Sequence, residues 1–152
     1  MPKRNIVDKA EIETFLQQQT IGRLGTFSED YPYIVPLCYV YYQKSIYFHS
    51  GLRGKKIQSI RKNPRVCFQV DQVEKFRVDP SPCNFNITYR SVIVYGTVSE
   101  VTEIGAKMEA LLLLTARFYG DIPQSLPYKQ VESVKVFKID VDYMTGKANH
   151  EA

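Results

Sequence analysis

Tryptophan is absent from this sequence, and its 152 residues include only two histidines and three cysteines. Each shortage argues against a class of protein. Cys38, Cys67 and Cys83 are odd in number, widely spaced and lack a C-x-x-C pair, so they read as reduced packing thiols of a cytoplasmic protein rather than a disulfide framework. His49 and His150 have no cysteine or carboxylate at ligand spacing, which argues against a structural zinc site; no metal is expected. Long apolar runs are missing too. The longest aliphatic stretch, Leu111 to Leu114, is far too short to span a bilayer, and the opening "MPKRNIVDKAEIETF" has no apolar signal segment. A soluble, cytoplasmic protein with no membrane partner is the expectation. Neither G-x-x-x-x-G-K-[ST] nor a G-x-G-x-x-G after a strand occurs, which argues against a nucleotide triphosphatase or a dinucleotide-binding fold. The net charge of +4 is modest, and the basic residues form no long tail with interleaved aromatics, so nucleic acid is not an expected partner.

What is present is aromatic and β-branched. Eleven Tyr and eight Phe accompany abundant Val and Ile, residues that suit a pleated, half-buried surface. At 44% hydrophobic and 24% charged, residues 1–152 have the composition of a single folded domain. Asp8 followed by Glu11 has the spacing of a capping box ahead of Ile12, Phe15 and Leu16, which predicts a short first helix. "IGRLGTFSED", "YPYIVPLCYVYY" and "KSIYFHS" read as three strands joined by turns at Ser28 to Asp30 and Gln43 to Ser45, and can form a meander. "KKIQSIRKN" gives about two helical turns, stopped at Asn63-Pro64. "RVCFQVDQV" returns to strand, "EKFRVDPSPCNFN" reads as an irregular excursion, and "ITYRSVIVYGTVSEV" is a long strand in which Gly96 can mark a bulge.

Thr102 is the expected cap of a further helix whose stripe is Ile104, Met108, Leu111, Leu112 and Thr115, ending at Gly120. The alternation of Val134, Val136, Ile139 and Val141 predicts a last strand. Strands outnumber helices about two to one without βαβ alternation, so antiparallel strands closing into a barrel are the economical architecture.

The chemistry concentrates in "YFHSGLRGKK". From Gly51 to Arg65 the cations are Arg53, Lys55, Lys56, Arg61, Lys62 and Arg65, with no acid among them. A helix N-terminus carries about half a positive charge, so Lys55 and Lys56 stand on its unfavourable end at roughly 0.3 to 1 kcal/mol each. A phosphate would offset that, with free N–H groups, close backbone approach at Gly51 and Gly54, the Ser50 hydroxyl and two ammonium groups. A solvated basic helix face is the alternative.

The runs "IGRLGTFSEDYPYIVPLCYVYY", "IYFHSGLRGKKIQSIRKNPRVCFQVD" and "ITYRSVIVYGTVSEV" together resemble the FMN-binding split-barrel proteins related to pyridoxamine 5′-phosphate oxidase. Within them the chain is most similar to the nitroimidazole-resistance and flavin-nucleotide-binding branch, over about residues 8 to 146. The resemblance implies a mainly β, α+β fold: an antiparallel split β-barrel of Greek-key type with flanking helices. It implies FMN as cofactor, with Ser50, Lys55 and Lys56 at its phosphate and Val35, Pro36, Leu37 and Cys38 against its ring. Arg90 and Ser91 match a strand that closes around phosphate or ring, and Lys147, in "TGKA", matches a residue that approaches the cofactor. His49 matches a histidine near flavin and substrate and is the candidate catalytic residue; as a lone strand histidine it is otherwise a packed side chain. Members of the branch often carry histidine where this chain has Lys55, which makes the cradle here more basic. A homodimer with the flavin at its interface is also implied.

The function this implies is a flavin-dependent oxidoreductase acting on a small-molecule substrate, aromatic or nitro, with NAD(P)H as the possible donor. The alternatives are a flavin-binding or storage protein without turnover, a pyridoxamine-phosphate oxidase, or a haem-binding relative using His49 or His150 as axial ligand. Tyr31, Tyr33, Tyr39, Tyr41 and Tyr42 either stack on a flat ligand or serve strand packing and an interface. Nothing local supports an activated thiolate beside His49.

Overall fold

The computed structural model describes residues 4–6, 8–121 and 125–149; His150, one of the two candidate haem ligands, lies outside them. The strands are β1 (Arg4–Ile6), β2 (Ile21–Thr26), β3 (Tyr33–Cys38), β4 (Val40–Tyr42), β5 (Ser45–Ser50), β6 (Arg65–Arg77), β7 (Asn86–Glu100) and β8 (Lys135–Asn149). The helices are α1 (Lys9–Gln18), α2 (Lys55–Lys62), α3 (Ile104–Tyr119) and α4 (Tyr128–Glu132).

All eight strands belong to one antiparallel sheet in the order β3-β2-β6-β7-β8-β5-β4, with β1 on β8. The order β6-β7-β8-β5 is a Greek key. The sheet closes because β3 and β4 are one bent strand. Its first part pairs with β2 and its second with β5, so the two ends of the strand order are joined through Tyr39. Tyr39 is fully buried, packs edge-on against Phe68 at 4.8 Å, and donates its hydroxyl to the Leu16 carbonyl at 2.6 Å. That bond anchors the bend to α1.

The barrel interior is filled by inward positions of these strands, among them Leu24, Ile46, Phe48, Phe68, Val92 and Ile139, and α1 closes one end with Ile12, Phe15 and Leu16. A second cluster, Ala110, Leu111, Leu114, Val131 and Val136, fastens α3 and α4 to the outer face of the sheet. Asp8 caps α1 as expected, accepting from the Ala10 N–H at 2.9 Å. Gly120 ends α3 with φ 84°, and α2 stops at Asn63.

Gly96 sits where the β7–β8 register shifts, and a Cβ there would lie 2.3 Å from the Asp140 carbonyl oxygen. The bulge follows from that close approach.

Several expectations needed correction. The cap of α3 is Glu103, not Thr102; its carboxylate accepts from the N–H groups of Gly105 and Ala106, which holds its pKa below the usual range. The buried stripe of α3 is Ala110, Leu111 and Leu114, while Ile104 is exposed. β6 continues to Arg77, pairing with β7 in a long hairpin, so only residues 78–85 lie outside the strands, and Pro82–Asn84 among them form a short 3-10 turn. "TGKA" lies within β8. The expected three-strand meander forms but is bent: "YPYIVPLCYVYY" pairs with β2 through β3 and with β5 through β4, so no single stretch of it pairs with both. The five-tyrosine patch is dispersed: Tyr39 and Tyr41 are buried, whereas Tyr31 is exposed. β1 and α4 were not anticipated, being too short to carry a periodic pattern.

Candidate functional site

The bend at Tyr39 has a consequence for the barrel wall. Beyond the three pairs that join β4 to β5, the register would continue by setting Cys38 opposite His49 and Leu37 opposite Ser50. No ladder forms there: β3 passes near β5 unpaired, which leaves a seam bordered by the free edge of β3. Pro36 contributes no N–H to that edge. Val35 and Leu37 turn inward against the core, while Pro36 and Cys38 face out.

The other border of the seam is the end of β5 and the start of α2. Ser50 is buried and its hydroxyl has no hydrogen-bond partner among the described residues. Gly54 holds φ 137°, ψ 167°, a backbone few other residues adopt, and precedes α2 without any side-chain cap. The first N–H groups of the helix are therefore open, the earliest helical bond shown being Gln58 N–H to the Gly54 carbonyl.

Lys55 places its ammonium 5.1 Å from the Tyr33 ring centre, linking the helix start to the beginning of β3. Lys56 places its own 5.6 Å from the ring centre of Phe48. Neither lysine has a carboxylate within ion-pair distance among the described residues. Burial without a counter-charge depresses the pKa of Lys56. This is the arrangement of an anion site: open N–H groups, a free hydroxyl and two cations, one partly desolvated. Further along α2, Lys62 pairs with Glu29 and takes no part in it.

His49 faces the opposite side of β5 from Ser50. It lines a cleft of about 470 Å³ with Cys38 and with Leu114, Phe118 and Tyr119 of α3, a size in the range of small-ligand pockets. The sequence reading did not include these α3 residues, because their approach to His49 depends on how the helix docks. Tyr33 was read only as part of an aromatic patch, and its pairing with Lys55 was missed for the same reason.

The candidate residues thus fall into two groups. Val35, Pro36, Leu37, Cys38, His49, Ser50, Lys55 and Lys56 share the seam. Arg90, Ser91 and Lys147 do not. Ser50 pairs with Lys135 at the start of β8, whereas Arg90 and Ser91 pair with Ala148 and Lys147 near its end. Nearly the whole 15-residue strand separates them, a path of roughly 40 Å along its curve at about 3.3 Å per residue. Arg90 is also engaged: it donates to Glu74 at 3.0 Å and to Gln72 at 3.2 Å, and stacks over Phe15 at 5.0 Å.

The family model for pyridoxamine 5′-phosphate oxidase matches residues 8–148. The chain belongs to that family. Among solved structures, a proposed 5-nitroimidazole antibiotic resistance protein of Bacteroides thetaiotaomicron is 27% identical with a TM-score of 0.82, the match covering 99% of this chain and 93% of that one. An FAD-binding protein of Mesorhizobium loti is 26% identical with a TM-score of 0.72, covering 99% and 100%. These similarities bear out the split barrel. An uncharacterised protein of Rhizobium meliloti is 27% identical over 96 residues, 63% of this chain and 56% of that relative, so the match spans little more than half of it. As for membranes, no helix among the described residues is long and apolar enough to cross one.

Proposed function

We propose that this member of the pyridoxamine 5′-phosphate oxidase family binds FMN in the seam and acts as an oxidoreductase on small aromatic or nitro compounds, with NAD(P)H as donor. The observation that carries the reading is the uncapped start of α2, where Gly54, Ser50 and the unpaired Lys55 and Lys56 leave an anion site beside an unpaired strand edge. FMN has the matching parts, a phosphate monoester at one end and a flat heterocycle rich in hydrogen-bonding atoms at the other.

Ser50, Lys55, Lys56 and the α2 N–H groups would hold the phosphate. The edge of β3, Val35 to Cys38, would meet the ring, and Phe118 and Leu114 would keep water from the cleft in front of it. Bound FMN supplies the hydride or electron transfer. His49 faces the cleft where a flat acceptor would lie, and its imidazole N–H can donate to a nitro or carbonyl oxygen there. The chain needs no further acid or base for this chemistry.

The separation of Arg90, Ser91 and Lys147 from the seam supports a homodimer, in which a second copy brings these residues to the flavin. An apolar outer face favours the same assembly: Phe27 and Ile34 are exposed beside a groove that also includes Tyr95 and Tyr143, whose rings stack at 4.6 Å.

The test is an absorbance and fluorescence scan of gently purified protein, then chromatography of the chromophore released by heat. FMN, or uptake of added FMN, followed by NAD(P)H oxidation that a nitroaromatic accelerates, supports the reading. Flavin without turnover with either donor would point to a storage protein. A Soret band would point to haem, and a colourless protein that ignores FMN would overturn the proposal.

A further inference from the structure

The ion pair between Lys135 and Glu100 is the least exposed among the described residues, with side chains 19% and 29% accessible. An ion pair drawn out of water recovers little of its desolvation cost, so its presence calls for a reason beyond stability. Its place in the barrel supplies one. In the β5–β8 ladder Phe48 stands opposite Phe137 and Ser50 opposite Lys135, and in the β7–β8 ladder Glu100 stands opposite Phe137. Phe48 and Phe137 are buried, with their rings stacked at 5.3 Å. Alternate residues of a strand share a face, so Ser50, Lys135 and Glu100 all lie on the interior side of the barrel wall, around that aromatic pair.

Phe48 is also the ring near which Lys56 sets its ammonium, 5.6 Å from the centre. Two lysines from distant parts of the chain, Lys56 of α2 and Lys135 of β8, thus border the stretch that carries the unpartnered Ser50 hydroxyl. Glu100 takes one donor of the Lys135 ammonium, and nothing else is bonded to that ammonium among the described residues. An ammonium can serve more than one acceptor, so donor capacity remains. Nothing in the local pattern pointed to Lys135, which occupies an ordinary polar position of an alternating strand; the register alone brings it to Ser50.

We propose that Lys135 is a third phosphate-binding cation of the α2 cradle, aimed by Glu100, an assignment that rests on the flavin reading of that cradle. A phosphate oxygen accepting from Ser50 lies beside the residue directly across the strand pair, where Cβ atoms are about 5 Å apart. Lys135 then donates to Glu100 and to the phosphate together. Glu100 holds the long side chain in one direction, and it also sets a like charge against the anion. It therefore fixes the position of the third cation while lowering the affinity for the phosphate.

Riboflavin, which has the ring of FMN and lacks the phosphate, separates the contributions. Fluorescence titration of the parent protein and its variants with both flavins gives the preference for FMN. Lys135→Met is expected to reduce that preference roughly tenfold, the loss of one charge-assisted hydrogen bond, with riboflavin affinity unchanged. Lys135→Arg should restore most of it. Glu100→Gln can still accept from Lys135 but carries no charge, so it should raise the preference by about threefold. Because Lys135→Met leaves Glu100 partly buried and unpaired, Lys135→Met with Glu100→Gln is measured too, and should fall below Glu100→Gln by the same roughly tenfold factor. The inference is overturned if the parent prefers FMN and both Lys135→Met proteins keep the preference of their Lys135 counterparts, or lose both flavins equally, as a merely structural pair would. A parent that binds FMN and riboflavin alike, or neither, overturns the phosphate cradle itself and this inference with it. The two failures are thus read apart.

Discussion

Lys56 holds its ammonium 5.6 Å from the ring centre of Phe48, a side chain fully buried in the barrel, and has no carboxylate partner among the described residues. Burial depresses its pKa, so in the folded chain the charged form is disfavoured relative to its unfolded value. The unfolded state then binds more protons just below pH 10.5, and stability of the flavin-free protein should rise with pH through that window. Thermal unfolding between pH 8 and 10.5, compared in parent and Lys56→Met, checks this: the variant should lose that part of the pH dependence and melt no lower than the parent at pH 7.

The same lysine should be required by the ligand that offsets its burial. Charge-assisted hydrogen bonds contribute about 1.5 to 3 kcal/mol, so Lys56→Met is expected to weaken FMN binding by roughly ten- to hundredfold, with a further loss on adding Ser50→Ala. Fluorescence titration reads this directly. Unchanged affinity in the double variant would remove the phosphate from the α2 cradle.

Two glycines of the same turn should respond differently. Gly54 has φ 137° and open space around it, so Gly54→Ala meets backbone strain alone, expected to destabilise by about 1 to 2 kcal/mol and to lower flavin uptake. Gly51 has neither a positive φ nor a neighbour within 4 Å of an added Cβ, so Gly51→Ala should be nearly silent. Denaturant melts of the pair separate conformational need from mere flexibility.

Tyr39 and Tyr41 offer a matched comparison two residues apart. Tyr39→Phe deletes the 2.6 Å bond to the Leu16 carbonyl and leaves a buried acceptor unsatisfied, at a cost of about 1 to 3 kcal/mol. Tyr41→Phe deletes a hydroxyl that makes no well-formed hydrogen bond, with the Glu13 carboxylate as its polar neighbour, and should cost less than Tyr39→Phe. Equal losses in both would show that the Tyr41 hydroxyl is satisfied in solution.

Placing charge on the apolar outer face should expose the role of a second copy. Ile34→Lys with Phe27→Glu alters two exposed side chains, so the fold should survive. Sedimentation should then show a monomer, with flavin affinity falling at the same time. A variant that stays monomeric yet binds FMN as the parent does would confine the site to one chain.

Much of this was legible in the residues themselves. Asp8 as a cap, Gly120 as a helix stop, Asn63-Pro64 as the end of α2 and the bulge at Gly96 depend on local backbone chemistry, which a few neighbouring residues decide. The residues of the proposed anion site were legible for the same reason: Ser50 through Lys56 are consecutive, and the uncapped helix start is built from that segment alone. Glu103 displaced Thr102 because both precede the helix and only geometry chooses which side chain reaches the free N–H groups.

The sequence by itself determined a mainly β chain with helices at its flanks and a basic, glycine-containing turn suited to a phosphate, because periodicity and turn chemistry act over a few residues. Only the tertiary structure decided that β3 and β4 are one strand bent at the buried Tyr39, that the bend opens a seam between β3 and β5, and that Cys38, His49 and α3 meet there. It also decided that Arg90, Ser91 and Lys147 stand far from Ser50 and the α2 cradle. These relations join residues distant in the chain, and they are set by strand register and core packing, which no local pattern encodes.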